Sequence, residues 1–116
     1  MAIQLKRVYD SPNKSDGMRI LVERLWPRGL SKDKAKVDLW VKELAPSTSL
    51  RKWFDHDPKK WKEFRSRYFK EIGKLDEEVE GLLEHVRRGK VTFVFASREE
   101  KLNNTVALKE FIEKHL

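Results

Sequence analysis

The stretch VTFVFA, at residues 91–96, decides the fold class of this chain. Both alternating faces of this segment are apolar, which is the pattern of a strand that is covered on both sides of a parallel sheet. A charged loop follows at residues 97–101, and Asn103 or Asn104 then caps a helix. This order predicts an α/β protein, a small three-layer domain with a short, mostly parallel sheet flanked by helices.

Two more strands are predicted near the N-terminus, at residues 3–9 and 19–25. The segment between them, residues 10–17, is a dense cluster of turn-forming residues. A parallel crossover usually needs about a dozen residues or more, and this connection is shorter. The two strands are therefore either antiparallel or joined by a compressed crossover.

Short helical segments are predicted between the second strand and the middle of the chain. Ser31 is a good N-cap for a turn at residues 32–36. Residues 37–44 fit a short helix or a strand, and their apolar spacing favours the helix. Ser47 or Thr48 is expected to cap a further turn that reaches residue 54.

The strongest helical signals lie in the second half. The pair Asp57-Pro58 predicts a helix start, because a capping side chain is followed by proline at the first helical position. Apolar residues then recur every three or four positions, at Trp61, Phe64, Tyr68, Ile72 and Leu75. Asp76 is predicted to cap the next helix, which Gly89 ends.

Length and composition exclude several classes of protein. A chain of 116 residues predicts a single domain over residues 1–116. The absence of cysteine excludes disulfides, thiol catalysis and thiolate metal sites, and the three histidines are too scattered to predict any metal site. No phosphate-loop or Rossmann glycine pattern is present, so no cofactor is predicted. No apolar run approaches the about 20 residues that span a membrane, and no signal peptide is recognisable, so a cytoplasmic protein without a membrane partner is expected.

The net charge of +7 is unevenly distributed. Residues 1–70 hold 18 Lys and Arg against 9 Asp and Glu, whereas residues 71–116 hold 8 against 10. A basic half suggests an anionic partner such as a nucleic acid, a nucleotide or an acidic metabolite. A lysine-rich surface that merely keeps the protein in solution explains the charge equally well.

The segment RLWPR, residues 24–28, marks the predicted end of the second strand. Ligands bind outside the carboxyl ends of the strands in a parallel α/β sheet, and the arginine fork suits phosphates and carboxylates. Arg24 and Arg28 are therefore predicted anion anchors, with Trp26 as a wall. The alternative is that Trp26 fills core and that an arginine pairs with Glu23 or Asp38.

Arg98 lies between the last strand and the last helix, where free backbone N–H groups favour anions. It would complete the same anion pocket if the two strands are neighbours. An ordinary capped loop is the alternative.

Two residues are candidates for acid–base chemistry. His56 precedes Asp57 and has Arg51 nearby, and histidine titrates near neutral pH. The competing interpretation is that Asp57 is simply a helix cap. Tyr68 is the second candidate. Ser97 lacks the glycine-flanked elbow of a nucleophilic serine.

The chain resembles the domain-of-unknown-function 488 family, in its short YeaO-like branch. The matching positions are residues 6–10, 16–17, 19–30, 32, 40, 45–47, 50–51, 53–54, 56–58, 61, 64, 67–68, 91–96 and 104, including the specific string LWPRG. The resemblance implies a compact three-layer α/β protein and assigns no activity. Longer relatives carry a cysteine and a Cys-His-Arg string around the final strand and helix, where this chain has Ala96, Ser97 and Arg98, followed by Asn103, Asn104 and Thr105. Chemistry that used that thiol would not be shared.

The leading hypothesis is a protein that binds a small phosphate- or carboxylate-bearing ligand at the carboxyl ends of the strands, with catalysis left undecided. The predicted ligand-binding residues are Arg24, Trp26, Arg28, Lys32, Arg51 and Arg98. One alternative is a nucleic-acid-binding or regulatory module that uses the basic half. Another is a non-enzymatic interaction protein that docks through Trp26 and Trp40. The oligomeric state stays open.

Overall fold

Four parallel strands form one sheet in the computed structural model, which describes residues 3–116. The strands are β1 (Ile3–Arg7), β2 (Met18–Leu21), β3 (Leu39–Trp40) and β4 (Val91–Phe95). Their order across the sheet is β1-β4-β2-β3, so β4 is a central strand, and all of its residues are buried. The predicted α/β fold is confirmed.

The first two strands are parallel but do not pair with each other. Ile3 of β1 and Met18 of β2 both register with Val91 of β4, which lies between them. The connection at residues 8–17 is thus a compressed crossover. It ends at Gly17, which has a φ of 65° and lies so close to Lys90 that a Cβ would sit 2.2 Å from the Lys90 carbonyl oxygen. Only glycine satisfies both demands.

Five α-helices complete the structure: α1 (Lys32–Ala35), α2 (Thr48–Phe54), α3 (Trp61–Ile72), α4 (Asp76–Arg88) and α5 (Asn104–Lys114). The side chains of Ser31, Ser47 and Asn103 cap α1, α2 and α5, as the sequence predicts. Asp57 caps a 3-10 turn, Pro58–Lys60, that leads into α3.

The prediction that Asp76 caps α4 is wrong. Asp76 is the first residue of that helix, and Leu75 before it makes no side-chain cap. Asp76, Glu77 and Glu78 instead place negative charge in the first turn, where the helix dipole favours it.

The helix predicted at residues 37–44 is also wrong, since the segment forms β3 and then a 3-10 turn, Lys42–Leu44. The exposed edge of β2 determines this outcome. Asp38 N donates to Arg19 O and Val41 N donates to Leu21 O, each at 2.9 Å. Pairing with an existing strand outweighs a weak local spacing pattern.

The two faces of the sheet are covered unequally. Ile20, Val22 and Phe93 face a large core to which α2, α3, α4 and α5 all contribute buried side chains. Leu21 and Val94 face the opposite side, where a small cluster includes Ala35 of α1. Among the described residues, no helix is long and apolar enough to cross a membrane.

Candidate functional site

A cavity of about 600 Å³ opens beyond the carboxyl ends of β2 and β4. Its sheet side is formed by Glu23, which follows β2, and by Ala96 and Ser97, which follow β4. Its other walls come from α2, the turn after α2 and the start of α5. The volume lies within the range of small-molecule sites, and the place is the one that parallel sheets use for ligands.

Two polar side chains are fixed on the sheet side of the cavity. Glu23 Oε1 accepts a hydrogen bond from Ala96 N at 3.2 Å. The side-chain amide of Asn104 donates to Val22 O at 3.0 Å. Within residues 3–116, Glu23 Oε2 and Asn104 Oδ1 accept no hydrogen bond, so both oxygens are available to a ligand.

Burial disfavours the charged form of the Glu23 carboxyl. Burial raises the pKa of this carboxyl, and the N–H of Ala96 and the positive charge of Arg51 reduce the shift without cancelling it. Arg51 is therefore close enough to interact with the charge of Glu23. We call the sheet side of the cavity, with Glu23 and Asn104, its floor.

Apolar side chains form another part of the cavity wall. The rings of Phe54 and Phe64 stack with their centroids 4.4 Å apart, and each ring also lines the cavity. Pro46 and Leu102 line it from the two loops, and Leu25, which is 74% exposed, lies at the margin. This composition matches the largely apolar walls of ligand sites.

The mouth of the cavity carries Arg51 and Lys52 from the last turn of α2, followed by Asp55 and His56. Asp55 and His56 both lie in the left-handed region, with φ values of 44° and 54°. Two successive non-glycine residues in this region are costly, and such strain clusters at functional sites. The turn projects a histidine at the edge of the cavity.

Of the predicted ligand-binding residues, the structure places only Arg51 on this cavity. Arg24 is part-buried, and its guanidinium donates to Pro46 O at 2.8 Å and to Ala45 O at 3.1 Å. It thereby fixes the loop before α2.

Trp26 lies on the opposite face of the sheet. Its indole N–H donates to Leu30 O at 2.6 Å, and its ring meets Trp40 edge-on at a centroid distance of 5.4 Å. Lys32 joins both tryptophans around a separate cavity of about 240 Å³.

Arg28 and Arg98 are exposed, and neither lines the large cavity. Tyr9 donates its hydroxyl to the Arg28 carbonyl at 2.9 Å, so the main chain at Arg28 is tied down. Within residues 3–116, neither Arg24 nor Arg28 pairs with Glu23 or Asp38. The arginines of the predicted shared pocket are thus not brought together.

The two acid–base candidates have different surroundings. His56 lines the cavity, and Asp57 beside it accepts from Lys59 N at 3.0 Å, the capping role that was the alternative interpretation. Tyr68 is fully buried, its hydroxyl donates to Leu44 O, and burial raises its pKa strongly. It does not line the cavity and acts as part of the core.

Several residues that line the cavity were missed in the sequence analysis, among them Glu23, Lys52, Phe54, Phe64 and Asn104. Glu23 carries one usable signal, because it is the first charged residue after the buried run at residues 20–22. Asn104 was visible only as a possible helix cap, and the two phenylalanines only as core.

Comparison with known proteins supports a family assignment. The family model described as "Inactive DUF488-N3 subclade" matches residues 2–116. The uncharacterized protein YeaO of Escherichia coli (strain K12) is 38% identical over 112 residues, which cover 97% of each chain. The uncharacterized protein Rv3073c of Mycobacterium tuberculosis (strain ATCC 25618 / H37Rv) is 44% identical over 70 residues, which cover 60% of this chain and 59% of that protein. No solved structure matches. This chain therefore belongs to the DUF488 family, in the subclade described as inactive.

Proposed function

We propose that this protein binds a small phosphate- or carboxylate-bearing ligand in the cavity beyond β2 and β4 and does not transform it. One observation carries the proposal: a cavity of ligand size joins apolar walls to a mouth where the cations Arg51 and Lys52 outnumber the single carboxylate, Asp55, and where His56 also lies. Arg51 and Lys52 are exposed, so they keep their charge at no cost of desolvation until a ligand arrives.

The cationic mouth and the acidic floor determine the orientation in which a ligand binds. An anionic group near Glu23 would be repelled, whereas the Arg51 fork matches a phosphate or carboxylate. The ligand would therefore place its anionic group at the mouth and its apolar part against Phe54 and Leu102.

Binding without chemistry is supported by two facts. The subclade to which the chain belongs is described as inactive. The chain also has no cysteine, and the regions that correspond to the cysteine and the Cys-His-Arg string of longer relatives hold residues 96–98 (ASR) and 103–105 (NNT). A cavity of ligand size in a chain without cysteine suits a sensor or carrier of a ligand.

The test measures thermal unfolding of the protein with nucleotides, phosphosugars and organic acids. At 100 times its Kd a true ligand stabilises the fold by about 2.7 kcal/mol, which raises Tm by several degrees. Arg51→Gln is expected to weaken binding about tenfold, equivalent to about 1.4 kcal/mol. Arg28→Gln, an equally exposed arginine outside the cavity, is the matched control and is expected to bind as the unmodified protein does.

Two results would contradict this function. Equal losses in the Arg51 and Arg28 variants would indicate nonspecific attraction to the basic surface. Stabilisation by short oligonucleotides alone, with affinity that falls steeply as salt rises, would favour a nucleic-acid-binding module, because counterion release produces that slope.

A further inference from the structure

We infer that Glu23 and Asn104 determine specificity by accepting hydrogen bonds from an amidine- or guanidine-type N–H edge on the inner end of the ligand. This inference rests on the proposed function, which places the anionic group at the mouth. It adds a chemical class: a ligand that is a hydrogen-bond donor at one end and an anion at the other.

The hydrogen bonds of the floor leave two side-chain oxygens without a donor. Asn104 uses one of its two amide N–H groups on Val22 O, and Ala96 uses its backbone N–H on Glu23 Oε1. The acceptors that the floor still offers are Glu23 Oε2 and Asn104 Oδ1. A ligand that covered these oxygens without supplying N–H groups would leave them buried and unpaired, which costs about 1–3 kcal/mol for each group and more for a charged one.

The other polar side chains of the sheet-side wall are already engaged. Asn103 accepts from Val106 N at 3.0 Å and donates to Glu99 O at 2.7 Å. Ser97 Oγ accepts from Glu99 N at 3.0 Å. Glu23 and Asn104 are therefore the residues of this wall with side-chain oxygens to spare, and both are anchored at the strand ends, which fixes the direction from which a donor must come.

The lining of the cavity thus combines acceptors on the sheet side, aromatic rings, and cations on α2. A guanine nucleotide matches them, because its ring N–H and adjacent exocyclic amine form a donor edge, its base is flat and apolar on both faces, and its phosphate is anionic. A guanidino acid such as arginine offers the same two ends with an aliphatic middle. The shared chemistry is the pair of adjacent N–H donors opposite an anion.

The experiment uses two pairs of probes, each differing at the donor edge. Inosine 5′-monophosphate lacks the exocyclic amine of guanosine 5′-monophosphate. Citrulline replaces the guanidinium of arginine by a neutral urea, which removes the positive charge and one NH2 group but keeps one pair of adjacent N–H donors. Binding to the unmodified protein is measured by calorimetry at one pH and one salt concentration. At least one pair is expected to show a tenfold or greater preference for the better donor, because a site built to hydrogen-bond a group rejects the analogue that lacks it. The pair that discriminates identifies the source.

The variant Glu23→Gln keeps an oxygen for Ala96 N but removes the charge and one acceptor. It is expected to reduce the preference within the discriminating pair to about twofold or less. Glu113→Gln is the matched control, since Glu113 is exposed on α5 away from the cavity and makes no ion pair within residues 3–116.

The outcomes distinguish a failure of this inference from a failure of the proposed function. Equal affinities within both pairs, with binding still weakened by Arg51→Gln, would overturn the donor-edge inference and leave the anion-binding function standing. No binding of these four probes or of any member of the wider panel would overturn both. The comparison of the paired probes needs no variant, so it decides the inference even if Glu23→Gln does not fold.

Discussion

Asp16 and Arg19 form a buried ion pair on the face of the sheet opposite the cavity. Arg19 Nη1 lies 2.8 Å from Asp16 Oδ2, and each side chain is almost completely buried. Lys6 of β1 reaches the same carboxylate at 3.3 Å, and Thr92 of β4 donates its hydroxyl to Asp16 O at 2.6 Å. Arg19 Nε also donates to Ala35 O in α1. Asp16 and its partners therefore connect β1, β2 and β4 with the thin layer, residues 31–41, that covers this face of the sheet.

We expect Asp16→Asn to destabilise the fold by about 3–5 kcal/mol, because it leaves the Arg19 charge buried without its partner. Urea denaturation followed by tryptophan fluorescence measures the loss. Asp33→Asn, at an exposed position in α1, is the control and is expected to change stability by less than about 0.5 kcal/mol. A loss below about 1 kcal/mol in the Asp16 variant would mean that the pair contributes little.

The pH dependence of stability is a second readout of the same variant. Burial acts to raise the pKa of Asp16, but the backbone N–H of Asn13 and the side chains of Arg19 and Lys6 outweigh it and lower that pKa below its usual 3.8. Between the folded-state pKa of Asp16 and its usual value, the folded protein binds fewer protons than the unfolded chain, so the free energy of unfolding rises with pH in that interval. This contribution is present above about pH 3.8 and is lost as the pH falls through the folded-state pKa. The Asp16→Asn variant is expected to show a shallower loss in acid.

At the scale of elements, local signals were readable and nonlocal ones were not. Ser31 was predicted as a cap, and Ser47 and Asn103 were each one of two candidate caps, because a cap needs only a side chain and the next few backbone N–H groups. The strand β3 was missed because its hydrogen bonds depend on the free edge of β2, which no local pattern reveals.

The same limit explains the candidate site. The sequence predicted the correct edge of the sheet for a cavity but not the residues that line it. Arg24 points to the loop carbonyls of Ala45 and Pro46, and Trp26 packs with Trp40 on the other face. Side chains only two positions apart beyond a strand can thus serve opposite faces, and the loop path decides which.

The backbone of the turn after α2 is strained at His56, and we expect this residue to contribute to ligand binding. We expect His56→Gly to raise the free energy of unfolding by about 0.5–1 kcal/mol. The left-handed conformation costs a non-glycine residue about 1–2 kcal/mol, which glycine avoids, and the greater entropy of glycine in the unfolded chain offsets part of this gain. The same variant is expected to weaken ligand binding, since His56 lines the cavity. Thermal unfolding with and without ligand measures both effects.

Lys36 provides the matched control for that prediction. It is exposed, has a φ of 52° and ends α1, away from the large cavity. Lys36→Gly is expected to give a similar gain in stability with no change in ligand binding. If both variants bind ligand as tightly as the unmodified protein, the strained turn at His56 has no part in the site.

For the whole molecule, the unequal covering of the sheet makes the free energy of local opening different on its two sides. The large core packs four helices against one face, so it involves most of the buried side chains. The opposite face is closed mainly by the segment at residues 31–41, which contains the four-residue α1 and the two-residue β3. Few buried contacts hold that segment, which is the condition for opening it without unfolding the rest.

Hydrogen exchange measured residue by residue by NMR is expected to show this division. The amides of β4 are buried and paired on both sides by β1 and β2, so they are expected to exchange only through global unfolding. The amides of Lys36, Asp38 and Val41 donate within or beside the thin layer and are expected to exchange through a local opening that costs at least about 2 kcal/mol less. Asp16→Asn removes the ion pair beneath that layer, so protection of these amides should fall in the variant together with its global stability. Equal protection of β4 and residues 31–41 in the unmodified protein would mean instead that the thin layer and the large core unfold as one unit.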